Sequence, residues 1–110
     1  MRTFDTGAVR DDDKTFDPEG FLNPRVLEVY SEFMERHRHT KDGNLRDSDN
    51  WQKGLPVAEA RQSLARHYLD YWLVSRGYQP HSPDCLGELD ALCGILFNTM
   101  VLMKEHLASF

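Results

Sequence analysis

Cysteine is scarce in this 110-residue chain: Cys85 and Cys93 are the only two, and no Cys-x-x-Cys pair occurs. That disfavours a zinc knuckle. Both fall in one predicted helix, about 12 Å apart along its axis, too far to bridge. Such usage suits a reducing compartment. Basic residues are outnumbered, 13 against 18 acidic, for a net charge of -5. A protein that grips a nucleic-acid polymer through clustered Lys and Arg is therefore not expected. No adjacent His-Asp pair occurs, so the phosphohydrolase class built on that signature is disfavoured. No apolar run opens the chain, so no secretory signal is expected. The most apolar stretch, Ala91 to Met103, is broken by Asn98 and Thr99. It is too short for a bilayer and reads as a buried core helix. A cytoplasmic protein without a membrane partner is the expectation.

What is present is an ordinary globular balance, 40% hydrophobic and 28% charged, in a length that suits one domain. Residues 1–22 are polar, with the acidic run Asp11-Asp12-Asp13 and the turn-like Asp17-Pro18-Glu19-Gly20. They read as an extended lead-in with room for one turn. Three helices are predicted over 23–110, giving an all-α domain. The first starts at Asn23-Pro24, a good cap and first residue, and runs to His39. Its apolar face holds Val26, Leu27, Tyr30, Phe33 and Met34, with Glu28, Glu32 and Glu35 opposite. Residues 40–54 form a loop with Asp42-Gly43 as a turn signal. The second helix runs from Pro56 to Ser75, ending before Gly77. Its apolar face holds Val57, Ala60, Leu64, Tyr68, Tyr71 and Trp72, with Ser63, His67, Asp70 and Val74 as a stripe beside it. The third starts at Ser82-Pro83 and runs to Leu107, with Asp90, Gly94 and Asn98 aligned at i, i+4 and i+8. Two amphipathic helices and one apolar nearly all round do not close a core alone. A homo-oligomer, dimeric or larger, is expected to bury the remainder.

Three passages resemble one known family. TGAVRDDDK is similar to the TGA-x-R-D opening of the dATP/dGTP diphosphohydrolase N-terminal-domain family. DNWQKGLP at 49–56 resembles its N-W-x-K-G-x-P motif, and SLARHYLDYW at 63–72 its S-A-L-R-H helix. ELDALCGILFN at 88–98 is a weaker fourth match, and EGFLNPRVLEVY and SDNWQKGLP resemble a phage and prophage branch. The resemblance implies cleavage of a purine deoxynucleoside triphosphate to the monophosphate and pyrophosphate. Related all-α enzymes of the MazG type use Mg2+ or Mn2+ held by acids on neighbouring helices. This chain departs from that wider pattern: it has no E-E-x-x-E cluster.

Phosphoanhydride hydrolysis needs divalent metal, an activated water and donors that orient the phosphates. Hard cations take oxygen ligands. The resemblance makes Glu32, in VYSEF, and Asp90, eight residues before Asn98, candidate metal ligands. Asp90 is also notable as a carboxylate on a mostly apolar helix, which demands a metal or a salt bridge. His67 and Asp70 share a helical stripe and are candidate catalytic residues, although a lone helical His is more often a structural hydrogen-bonding residue. Asn98 could meet a base or ribose edge, or fix helix register. Trp51 could stack on a purine or plug the bundle end. Lys53 is a candidate for phosphate; Arg66 points further toward solvent, and the resemblance makes it a second candidate. Arg10 and Lys14 could close over a triphosphate or belong to a mobile tail. A nucleotide-binding bundle without catalysis is the alternative function.

Overall fold

The computed structural model describes residues 2–10 and 15–109, with Arg2 and Arg10 followed in the backbone only. Lys14 and the run Asp11–Asp13 lie outside the described residues, as does the side chain of Arg10. The lead-in is more ordered than expected. Strands β1 (Arg2–Thr3) and β2 (Val9–Arg10) pair antiparallel, Arg2 opposite Arg10 and Thr3 opposite Val9. Gly7 turns the chain between them at φ +86, a value glycine adopts without penalty. A 3-10 turn spans Pro18–Phe21.

Helix α1 covers Pro24–His37. The Asn23 side chain accepts from the N–H groups of Arg25 and Val26 at 2.9 and 3.1 Å, as the sequence led one to expect. The helix stops two residues early because the chain folds into a tight hairpin-like loop. Arg46 N–H donates to Arg38 C=O at 2.8 Å, and His39 bridges to Leu45. A second 3-10 turn, Asn50–Lys53, carries Trp51.

Helix α2 covers Val57–Ser75. Its end is a Schellman motif: Tyr78 N–H reaches Leu73 C=O and Gly77 N–H reaches Val74 C=O, with Gly77 at φ +87. A residue without Cβ holds that left-handed position best.

Helix α3 covers Glu88–Ala108, six residues later than Ser82-Pro83 suggests. The reason is tertiary. Asp70 on α2 is fully buried, and its Oδ1 accepts from the N–H groups of His81 and Ser82 at 2.8 and 3.0 Å. Those bonds hold residues 81–82 as loop. Asp90 then caps the true start by accepting from Leu86 N–H at 3.0 Å. A carboxylate in the first turn that takes a preceding N–H resembles the reach-back half of a capping box.

Helices α2 and α3 run antiparallel, with Ser63 beside Asn98, His67 beside Gly94, and Leu55 N–H bonded to Glu105. Helix α1 meets α3 near its start through an Arg36–Asp90 ion pair. Among the described residues, the buried apolar ones are Phe33, Ala60, Ala91, Cys93 and Val101. They are mostly small, so the two long backbones approach closely. This corrects the expectation for α2 in part. Ala60 is buried and Leu64 and Tyr71 half-buried as the apolar face requires, but the Ser63, His67, Asp70 stripe turns inward beside Ala60, while Val57, Tyr68 and Trp72 of the apolar face are exposed. The bulky rings do not fit where Ala91 and Gly94 bring the helices together.

Two outcomes follow for stability. Asp70→Ala leaves two N–H groups of the 81–82 loop without their charged acceptor, and should cost about 2–3 kcal/mol. A urea melt would read this as a lower midpoint with unchanged slope. A methyl at Gly94 would collide with the His67 ring, so Gly94→Ala should cost about 1–3 kcal/mol. Adding His67→Ala should recover part of that loss, giving a coupling of about 0.5–3 kcal/mol in a double-mutant cycle. Additive losses would show that the ring is not the obstacle.

Candidate functional site

The inward turn of α2 leaves a cavity of about 270 Å³ between α1, α2, α3 and the loop that joins α1 to α2. Each wall follows from local structure. Helix α1 contributes Phe33 and His37, four residues apart and therefore on one face; their rings lie 4.3 Å centre to centre. The loop contributes Arg38, Arg46 and Trp51. Helices α2 and α3 contribute Ser63, His67, Gly94, Phe97 and Asn98. Trp51 meets Phe97 edge-on, with centroids 5.9 Å apart and planes at 74°. That geometry suits the ring quadrupoles and leaves an aromatic surface on the wall.

Asn98 is buried and donates through Nδ2 to Ser63 Oγ at 3.2 Å and to Gly94 C=O at 2.8 Å. With both amide donors engaged in this assignment, Oδ1 is the group left to accept. Arg38 is occupied: it bonds the Glu35 carboxylate at 2.9 Å and Arg46 C=O at 2.8 Å. Arg46 makes no side-chain ion pair among the described residues. Asp47 and Asp84 also border the cavity, so its fixed charges are two positive and two negative.

Both histidines on the wall sit below the ordinary imidazole pKa. Burial is the main cause for each; Arg36 adds to it at His37, and Asp70 opposes it at His67. Both rings are therefore neutral near pH 7, each able to donate one hydrogen bond and accept another.

A second void, about 20 Å³, adjoins the first and is bordered by His37, His67, Asp70, Asp84, Cys85 and Asp90. Burial alone would raise the Asp70 carboxyl, but hydrogen bonds from Ser82 and the His81 N–H outweigh it and hold the pKa below the ordinary value. Its Oδ2 is enclosed and has no hydrogen-bond partner. Asp90 is likewise lowered: burial raises it, while Arg36 and Leu86 N–H lower it more. Burial raises both cysteine thiols, which keeps them protonated and poor nucleophiles.

Of the residues singled out from sequence, Trp51, His67 and Asn98 come together on the main cavity. Asp70 and Asp90 border the smaller void. Asp90 is already engaged, both carboxylate oxygens held by Arg36 and one also by Leu86 N–H. Glu32, Lys53 and Arg66 are exposed, and none borders either void. Glu28 and Glu35 pair with Arg25 and Arg38 on the surface. Among the described residues, no three His, Cys, Asp or Glu side chains are grouped so as to hold a metal ion. No described helix is long and apolar enough to cross a membrane.

Sequence reasoning passed over His37, Arg46, Asp84 and Phe97. His37 had a signal, its spacing from Phe33. Arg46 and Asp84 lie in loops whose course depends on other elements, and nothing local marks them. No family model matches the chain, and neither a curated protein nor a solved structure matches it.

The histidines set a pH dependence. The unfolded chain takes up protons near the ordinary imidazole value of about 6.5, before the folded one does. Stability is thus complete above that pH and falls as pH drops through and below it. Urea midpoints from pH 7.5 to 5 should decline, and the decline should flatten in the double variant His37→Gln, His67→Gln. Asp70 and Asp90, lowered from the ordinary carboxylate range of about 4, add their loss only at more acid pH. An unchanged slope in the double variant would remove the histidines as its source.

Proposed function

We propose that this chain binds a purine nucleoside monophosphate in the cavity shared by α1, α2, α3 and the loop after α1. The observation that carries this reading is the convergence of an aromatic surface, an amide acceptor and a cation without an ion-pair partner among the described residues on one cavity wall. Trp51 and Phe97 offer a face and an edge to a flat heterocycle,. Asn98 Oδ1 offers an acceptor to an exocyclic amine or a ribose hydroxyl. Arg46 offers a planar fork that suits phosphate. A volume of about 270 Å³ sits just under the range of about 300–1,000 Å³ typical of small-molecule sites. That favours a base, a sugar and one phosphate over a full triphosphate. Two aspartates on the wall work in the same direction, since they disfavour a highly charged anion.

Hydrolysis of dATP or dGTP to monophosphate and pyrophosphate is the second reading, implied by the motif resemblance. Asp84 on the same wall as His37 and His67 favours it, as a carboxylate beside neutral imidazoles suits proton transfer. The divalent cation it calls for does not fit the expected donors: Asp90 is committed to Arg36, and Glu32 is exposed.

Titration with AMP, dAMP, GMP and dGMP, followed by Trp51 fluorescence in a Trp72→Phe background, tests the binding reading. At least one should bind tighter than about 1 mM, or −4.1 kcal/mol. Trp51→Ala, which removes that reporter and is therefore titrated by calorimetry beside the wild type, should weaken it at least tenfold. Arg46→Ala should remove the preference for a monophosphate over its nucleoside. Lys53→Ala and Arg66→Ala should leave affinity unchanged. Absence of any response at 5 mM ligand, roughly fivefold above that limit, would overturn the proposal. Release of pyrophosphate from dATP or dGTP with Mg2+, lost in Asp84→Ala, would favour the second reading.

A further inference from the structure

The fold leaves more surface uncovered than a chain of this size sustains alone. Its accessible area is 8872 Å² at 12.8 kDa, where a compact monomer of that mass exposes about 6,300 Å². The excess is about 2,600 Å². The radius of gyration is 19.0 Å, against about 13 Å for a compact domain of this length. Part of the excess belongs to residues 3–9 and 15–22, which are exposed throughout. The rest has a pattern.

On α3, Leu89, Leu92, Leu96, Met100, Met103 and Leu107 are all exposed. They recur at steps of three or four, so they fall within a sector of about 80°. That sector lies away from Ala91, Gly94 and Asn98, which meet α2. It runs the whole helix, about 31 Å, with no charged residue from Ala91 through Met103. On α2, Val57, Tyr68 and Trp72 are exposed beside the packed stripe, the rings of Tyr68 and Trp72 6.2 Å apart. An uncovered apolar surface this long marks an interaction site.

We infer that the α2–α3 hairpin packs against the same hairpin of a second copy of this chain, forming a four-helix layer with α1 outside it. A second copy is favoured over a foreign partner on three grounds. A stable dimer of standard size buries about 800 Å² per partner, and the excess supplies that with area to spare. The stripe carries no charge by which to select a different protein, and charge depletion at an apolar centre is what homodimer interfaces show. A face this apolar must be covered whenever the chain exists, and another copy is always present in equal amount. The inference does not depend on the ligand cavity, which lies on the α1 side.

Size-exclusion chromatography with light scattering on the full chain is the test. The wild type should elute at twice 12.8 kDa, and Leu96→Glu and Trp72→Glu should each shift it to the single mass with helical circular dichroism retained. Both residues are exposed in the single chain, so neither change disturbs its own core. If a variant loses helicity, the wild-type melting temperature decides: it should rise with protein concentration for a dimer. A helical wild type at the single mass, a dimer unaffected by both substitutions, or a melting temperature constant over a hundredfold dilution would each overturn the inference.

Discussion

The ring of His67 lies directly on Gly94, where no Cβ stands in its way. That contact sets the separation of α2 and α3, and with it the rotation of α2 about its own axis. Small residues at Ala60 and Ala91 extend the close approach along the pair. Dispersion contacts accumulate only when surfaces are this near. The long helices are therefore held together by small side chains, and the large ones are turned elsewhere.

Placing a polar stripe in the interior creates obligations that the rest of the chain meets in large part. Asp70 is fully buried; its Oδ1 is answered by the backbone of residues 81–82, while Oδ2 has no partner. Asn98 is answered by Ser63 and by a carbonyl one turn back. Asp90 is answered by Arg36 from α1 and by the N–H of Leu86. Each partnership also positions an element: the loop before α3, the register of α2 on α3, and the docking of α1. Directional partnerships of this kind specify one arrangement more sharply than apolar packing does. The same stripe lines the cavity, so the feature that fixes the fold also furnishes the candidate site.

Helix ends set by local chemistry were legible. Asn23-Pro24 starts α1 where a capping side chain and a residue without N–H should, and Gly77 closes α2 in the left-handed conformation glycine favours. Pro83 misled, because Ser-Pro is a fair helix opening in isolation; the distant carboxylate of Asp70 decided otherwise. On α2, periodicity separated two adjacent stripes but gave no means of ranking them; hydrophobicity placed Ala60 inside correctly and Val57, Tyr68 and Trp72 wrongly, and missed the inward turn of His67 and Asp70. In the candidate site, Trp51, His67 and Asn98 stood out as polar or aromatic interruptions of their surroundings. His37, Arg46 and Asp84 did not, since each reaches the cavity only through the path of a neighbouring loop or helix.

The amino-acid order by itself determined that three helices form, where α1 begins and α2 ends, and that the chain holds more apolar surface than one small core can bury. Those properties arise from interactions within about four residues, or from composition. Only the tertiary structure decided which face of α2 turns inward, where α3 begins, and which side chains share a cavity. Those outcomes depend on how closely two backbones approach and on which buried charge finds which N–H, and both are set by residues far apart along the chain.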